Sequence, residues 1–305
     1  MTAMALITHL RSVAITAEEP RTLSGFYEDV WGLEQVGSEP GGGIHLRARG
    51  TEHHVLSLVP GDGHSLERIT LAAGSIAAVD EVADRARAAG VRVESGPERS
   101  VEPGGGYRVL LRDPEGRRIE VSADLETHPA PSTRPHGPDR LSHIVLNATD
   151  LASSKDFFTQ VLGFRISDWY ENDQMVFLSC NDIHHCVVLA PGRWTSLNHV
   201  AFEVDSGDEV MRALGRLRKA GFDTIWGPGR HGPGGNVFCY FTDPVGNVIE
   251  YTAELVVLDE AWQAHSWERT QENADVWGTS GGITPAVIKA MSNPPASARA
   301  DRSGS

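Results

Sequence analysis

The sequence predicts an α+β protein made of tandem βαβββ modules, two modules to a domain and two domains to the chain. Three observations carry this. The chain repeats itself internally, each copy divides again into two helix-plus-strands units, and 305 residues with 40% hydrophobic content suffice for two cores.

The first repeat is a short amphipathic helix closed by glycine. Leu23 to Leu33 (LSGFYEDVWGL) matches Ser154 to Phe164 (SKDFFTQVLGF), with an aromatic pair and a glycine, Gly32 or Gly163, placed for the left-handed position past a helix end. Asp150 is placed to cap the second helix. The second repeat is a turn, Asp113-Pro114-Glu115-Gly116 and Asp243-Pro244-Val245-Gly246, each feeding a strand that carries a glutamate, Glu120 or Glu250. Helical patterns at 21–31, 76–89, 151–162 and 206–220 are each preceded by one strand and followed by several. The expected organisation is a first domain at 1–126, a proline-rich linker at 127–139, a second domain at 140–255, an extension at 256–283 that is a candidate lid, and a disordered tail at 284–305.

The formal charge of −14 is spread along the chain, which disfavours nucleic acid or an anionic membrane as partner. No apolar run approaches the length of a membrane span. The N-terminus lacks a basic leader, and the three cysteines, Cys180, Cys186 and Cys239, have no paired spacing; a cytoplasmic protein is expected.

Strand alternation locates the chemistry. In the run from His143 to Ala148, Ile144, Leu146 and Ala148 share one face and His143 takes the other. Val200, Phe202 and Val204 face away from His199, and Ile249 and Tyr251 face away from Glu250. Each strand thus has an apolar back, while His143, His199 and Glu250 turn toward a common cavity. Two imidazoles and one carboxylate leave open coordination positions, the donor set of oxygen-handling Fe(II) sites. A lone histidine is usually structural, but three matching strand positions outweigh that reading. The first copy is an internal control: Ser12 and Arg68 stand where His143 and His199 do, and only Glu120 remains. That domain is expected to be a scaffold without metal.

Three further residues, His185, His231 in a glycine-rich loop and Tyr240, are suited to moving protons and to hydrogen-bonding a bound oxyanion. Alternation leaves Cys239 on the back of the Tyr240 strand. With Gly229-Arg230-His231 and the run from Tyr240 through Asp243-Pro244 to Glu250, the sequence resembles the type I extradiol ring-cleaving catechol dioxygenases of the vicinal-oxygen-chelate superfamily, over about residues 5–255 and into the tail to about 283. The loop, and the tail at Trp267 and Trp277, look most like the homoprotocatechuate 2,3-dioxygenase branch.

The resemblance implies a glyoxalase-like fold, Fe(II) or alternatively Mn(II) on His143, His199 and Glu250, and a catechol and O2 as substrates. His185 would take a proton from the catechol and later return one, while Tyr240 and His231 would hydrogen-bond substrate oxygens. The family spacing admits His184 or His185; His185 is chosen, leaving His184 as a surface or interface histidine. Trp226, Arg230 and Phe177 are the expected substrate contacts. Trp226 occupies the place of a basic residue that pairs with the substrate carboxylate in the homoprotocatechuate branch, which predicts a catechol without that carboxylate, unless Arg230 or Arg193 supplies the charge. Family members commonly form homo-oligomers. The competing classes are another metal-dependent isomerase or lyase on this fold and a non-catalytic aromatic-binding protein.

Overall fold

The computed structural model describes residues 5–63, 65–172 and 174–294. Two sheets account for the strands. The first holds β1 (Ile7–Ala17), β2 (Glu34–Ser38), β3 (Ile44–Arg47), β4 (Leu56–Pro60), β5 (Leu66–Ala73), β6 (Arg92–Arg99), β7 (Tyr107–Arg112) and β8 (Arg118–Ala123), in the order β2-β3-β4-β1-β5-β8-β7-β6. The second holds β9 (Arg140–Ala148), β10 (Arg165–Tyr170), β11 (Met175–Ser179), β12 (Val187–Pro191), β13 (Ser196–Glu203), β14 (Trp226–Arg230), β15 (Val237–Thr242), β16 (Val248–Ala253) and β17 (His265–Trp267), in the order β14-β15-β16-β13-β9-β12-β11-β10-β17.

The order reads as one βαβββ unit used four times. Within a unit the first strand lies parallel to the fourth, as β1 does to β4 and β9 to β12, because a helix intervenes between them. Units then join through antiparallel first strands, β1 with β5 and β9 with β13. The seam β9–β13 carries His143 and His199, and β16, parallel to β13, carries Glu250 opposite Ala201. The three residues therefore meet where two units join.

The helices are α1 (Pro20–Phe26), α2 (Ile76–Ala88), α3 (Leu151–Asp156) and α4 (Gly207–Lys219). Both α1 and α3 run on into one wide π-helical turn, Tyr27–Trp31 and Phe157–Val161, a local feature that sequence periodicity does not register. Gly32 ends the first at φ 91°, and the Asp150 carboxylate caps α3 by accepting from Ser153 N–H. Trp31 is fully buried, stacked on Tyr251 with ring centroids 3.8 Å apart and set edge-on to Phe202 and Phe241. These are the apolar backs of β16, β13 and β15, so an indole from the first domain underpins the strands that present the site. Trp31→Ala is expected to cost about 3–5 kcal/mol of stability, measured by denaturant unfolding.

The tail departs from expectation. Residues 284–305 were predicted to be disordered, yet Pro285–Ser292 forms a helix, α6, after the short α5 (Gln271–Ala274). Thr284 caps α6 with its hydroxyl, and Pro285 sits in the first turn. Its end is tied to the seam: the Asn147 amide donates to Met291 O at 2.8 Å and the Ser196 hydroxyl to Ser292 O at 2.9 Å. Pro, Ala and Ser dominate the composition just beyond this helix, and residues 295–305 lie outside the described ones. Among the described residues no helix is long and apolar enough to cross a membrane.

Candidate metal centre and its pocket

His143, His199 and Glu250 are buried, and one ligand atom from each lies within 4.8 Å of the other two. His143 Nε2 and His199 Nε2 are both 3.3 Å from Glu250 Oε2. His199 Nε2 and Glu250 Oε2 are buried without a hydrogen-bond partner, a costly arrangement unless a cation joins them. The donor set therefore fits a divalent metal.

The outer sides of these ligands are committed elsewhere, which aims the inner atoms. Asn198 Oδ1 accepts from His199 Nδ1–H at 2.8 Å, leaving the Nε2 lone pair for the centre. Asn198 is itself oriented by donating to Asn147 Oδ1 at 2.9 Å. Ser142 Oγ lies 3.2 Å from His143 Nδ1. Asn236, held by Thr252 at 2.8 Å, leans toward Glu250 Oε1. Asn198→Ala should weaken metal affinity about 10–100-fold, read by competition with a chelator.

The first domain shows what happens where the imidazoles are missing. There the Arg68 guanidinium is 3.4 Å from Glu120 Oε2 and Arg108 is 3.0 Å from the same oxygen, with Glu102 bridging both arginines. Guanidinium charge takes the place that a metal would take beside Glu120.

A cavity of about 320 Å³ opens beside the triad. His185 lines it, buried, with its ring 4.6 Å from that of His143. His231 donates Nδ1–H to Ala274 O at 2.8 Å, so its Nε2 lone pair accepts from the Tyr240 hydroxyl at 3.0 Å. Burial, and then the neighbouring histidines, push His185 well below the ordinary imidazole range. Burial likewise pushes His231 down to about 4. Burial and the Glu250 charge hold Tyr240 well above the usual phenol range. Burial alone would raise Glu250, but His143 and His199 outweigh it and hold the carboxyl well below its usual value. Near neutral pH the pocket thus offers two neutral imidazoles, a phenol that donates, and a carboxylate.

Phe177 and Trp226 also line the cavity. Phe177 lies 5.2 Å from the His185 ring, and Trp226 stacks on Tyr240 at 5.1 Å while its N–H is spent on Ser280. Arg230 does not line it. It is adjacent to His231, so its side chain leaves on the other side, paired with Glu254 and lying 4.9 Å over the Trp277 ring. Arg193 and Arg269 are the arginines that line the cavity instead. His184 is also corrected: it is fully buried, not at the surface. The pair His184–His185 precedes β12 and lies outside any strand, so alternation does not separate the two rings. Sequence reading missed Asn198, Asn236, Asp168 and the α6 residues Ile288 and Met291 at the cavity rim. Of these, Asn198 could have been flagged, because an amide next to a ligand histidine is a ready acceptor.

The model of the Glyoxalase/Bleomycin resistance protein/Dioxygenase superfamily matches residues 9–121 and 140–251. The Mn(II)-bound glyoxalase from Novosphingobium aromaticivorans has TM-score 0.87 and 38% identity, covering 93% of this chain and 94% of that one. Homoprotocatechuate 2,3-dioxygenase from Arthrobacter globiformis shares the fold, with TM-score 0.83 and 22% identity over 94% and 92% of the two chains. A manganese-dependent 2,3-dihydroxybiphenyl 1,2-dioxygenase from Geobacillus genomosp. 3 is 28% identical over 80% of this chain and 84% of its own. Metapyrocatechase 2 from Cupriavidus necator is 28% identical, a match spanning 56% of this chain and 60% of that relative. With that family model matching residues 9–121 and 140–251, most of the chain, the chain belongs to the glyoxalase/bleomycin resistance protein/dioxygenase superfamily.

Proposed function

We propose that this protein is an extradiol dioxygenase, opening the ring of a catechol beside its two hydroxyls and placing both atoms of O2 in the product. The observation that carries the reading is the convergence of His185 and the His231–Tyr240 pair on one cavity beside a two-histidine, one-carboxylate centre. Iron(II) or manganese(II) held by His143, His199 and Glu250 would supply chelation of the diol and electron transfer to O2. The chain does the rest. His185, neutral and desolvated, takes a proton from a catechol hydroxyl and later delivers one to the departing oxygen. Tyr240 is kept protonated; its one O–H, given to His231 Nε2 in this geometry, turns from that acceptor to donate to a substrate oxygen, while His231 is held in place by Ala274 O.

The walls fit a catechol bearing an apolar substituent: Val145, Val188, Ala190, Trp226, Ile288 and Met291 surround the cavity. An indole whose N–H is engaged at Ser280 offers an aromatic wall and no anion clamp, and the two arginines of the lining are engaged elsewhere, Arg269 on Gln174 Oε1 at 3.0 Å and Arg193 4.9 Å over the Trp194 ring. Alkyl- or aryl-catechols should therefore exceed homoprotocatechuate in kcat/KM by about tenfold or more, near 1.4 kcal/mol of transition-state binding. Comparable values would overturn this substrate reading.

The function is tested by loading the protein with Fe(II) or Mn(II) without oxygen, adding a panel of catechols and admitting air. One O2 consumed per catechol, with a coloured ring-opened product, is expected. A metal-dependent isomerase on the same fold would transform its substrate without O2, and absence of uptake across the panel would sink the dioxygenase reading.

A further inference from the structure

His184 has no part in the chemistry above, yet it is fully buried and bonded on both ring nitrogens. Its Nε2 is 3.0 Å from Asp168 Oδ2, and its Nδ1 is 2.9 Å from His185 Nδ1. Asp168 is also fully buried. It accepts the Trp267 indole N–H at 2.8 Å and the His265 backbone N–H at 3.0 Å. Both donors come from β17, which the C-terminal extension lays parallel to β10 with Asp168 opposite His265. Burial alone would raise the Asp168 carboxyl, but the hydrogen bonds from His184, His265 and Trp267 hold it below its usual value.

Donor and acceptor roles then follow in sequence. A carboxylate only accepts, so His184 carries a proton on Nε2 and, as a neutral ring, presents a lone pair at Nδ1. A lone pair facing His185 Nδ1 at 2.9 Å requires the proton of that contact to sit on His185. His185 is thereby left with a bare Nε2 on the far edge of its ring, and this residue lines the cavity beside His143. We infer that Asp168 and His184 form a positioning couple that fixes the tautomer of His185, so that its cavity-side nitrogen is a base before substrate arrives.

Two other features fit. Gly234, at φ +78°, closes over the contact: a Cβ there would stand 2.9 Å from His185 Cε1 and 3.2 Å from His184 Nδ1. The glycine loop thus permits the two rings to stay together. The first domain repeats the histidine pair, with His53 Nδ1 3.0 Å from His54 Nδ1. Its strand register places Gly37, opposite His45, where Asp168 stands opposite Phe177. The acid occurs only in the domain that also has the metal ligands.

The tautomer itself can be measured whatever the reaction; what the freed nitrogen does rests on the proposed function. The full chain, labelled with 15N-histidine and loaded with diamagnetic Zn(II), is examined by long-range proton–nitrogen correlation, with His185 assigned by its loss in His185→Phe. Wild type should show His185 protonated at Nδ1 and His184 at Nε2. His185 protonated at Nε2 in wild type overturns the inference without any further variant. In the Fe(II) or Mn(II) enzyme, His184→Phe removes the acceptor and should lower kcat about 10–100-fold with KM nearly unchanged. His184→Asn returns an acceptor oxygen near the Nδ1 position and should recover most of kcat. Equal kcat in His184→Phe and wild type, or equal loss in both variants, counts against the couple. If wild type consumes no O2 with any catechol, the functional reading falls while the nitrogen spectrum still decides this one.

Discussion

Glu250→Ala should yield a folded protein that no longer keeps a divalent metal through gel filtration and consumes no O2 with any catechol. Glu250 Oε2 faces both ligand imidazoles at 3.3 Å, and it is the single negative charge of the set. Without it, a dication would be buried against two neutral rings, and the loss of affinity should exceed the roughly 10–100-fold that removal of an outer partner costs. The fold should survive, because the back of β16 is packed by Tyr251 on Trp31, on the face away from Glu250. Metal analysis beside a thermal melt separates the two effects. Retention of stoichiometric metal by a folded Glu250→Ala protein would remove this centre from consideration.

His185→Phe makes the complementary split. Phenylalanine keeps a ring against Phe177 and His143 but has no nitrogen to take the catechol proton. Metal content and anaerobic catechol binding should match wild type, while kcat drops by about 10²–10⁴, the usual contribution of a positioned acid–base group. A variant that turns over like wild type would show that the proton leaves by another route.

How far these residues could be read in advance follows from the reach of the physics behind each. His143, His199 and Glu250 were legible because alternation on a strand is local, and a strongly apolar back fixes which side faces the pocket. The bulges within the β9–β13 pairing, between Leu197 and His199 and between Ala201 and Phe202, are accommodated without moving His199 off that side. Arg230 was expected to supply charge to the substrate, but it neighbours His231 on an extended chain, where successive side chains diverge, and it does not line the cavity. His184 was expected at a surface or interface, but it lies in a stretch that is not strand, where two successive rings can both turn inward. Asp168 was invisible, since its role depends on β17 arriving from far along the chain to pair with β10. The tail helix carried its own start signal in Thr284 and Pro285, which its low-complexity continuation outweighed.

The first domain adds a point about duplication. It keeps the fold, the glutamate and the histidine pair, but Arg68 and Arg108 balance Glu120 there. One charge problem thus has two answers in one chain: a cation made of protein, and a site shaped for a cation from solution.

Insertion of both oxygen atoms of O2 next to the diol is reached most directly by isotope labelling. Metal-loaded protein is given an alkyl- or aryl-catechol under 18O2, the product is trapped by reduction before its carbonyl exchanges with water, and its mass and connectivity are determined. Two labelled oxygens in a product opened outside the diol are expected. A product carrying one label or none, or one cleaved between the two hydroxyls, would contradict extradiol dioxygenase activity.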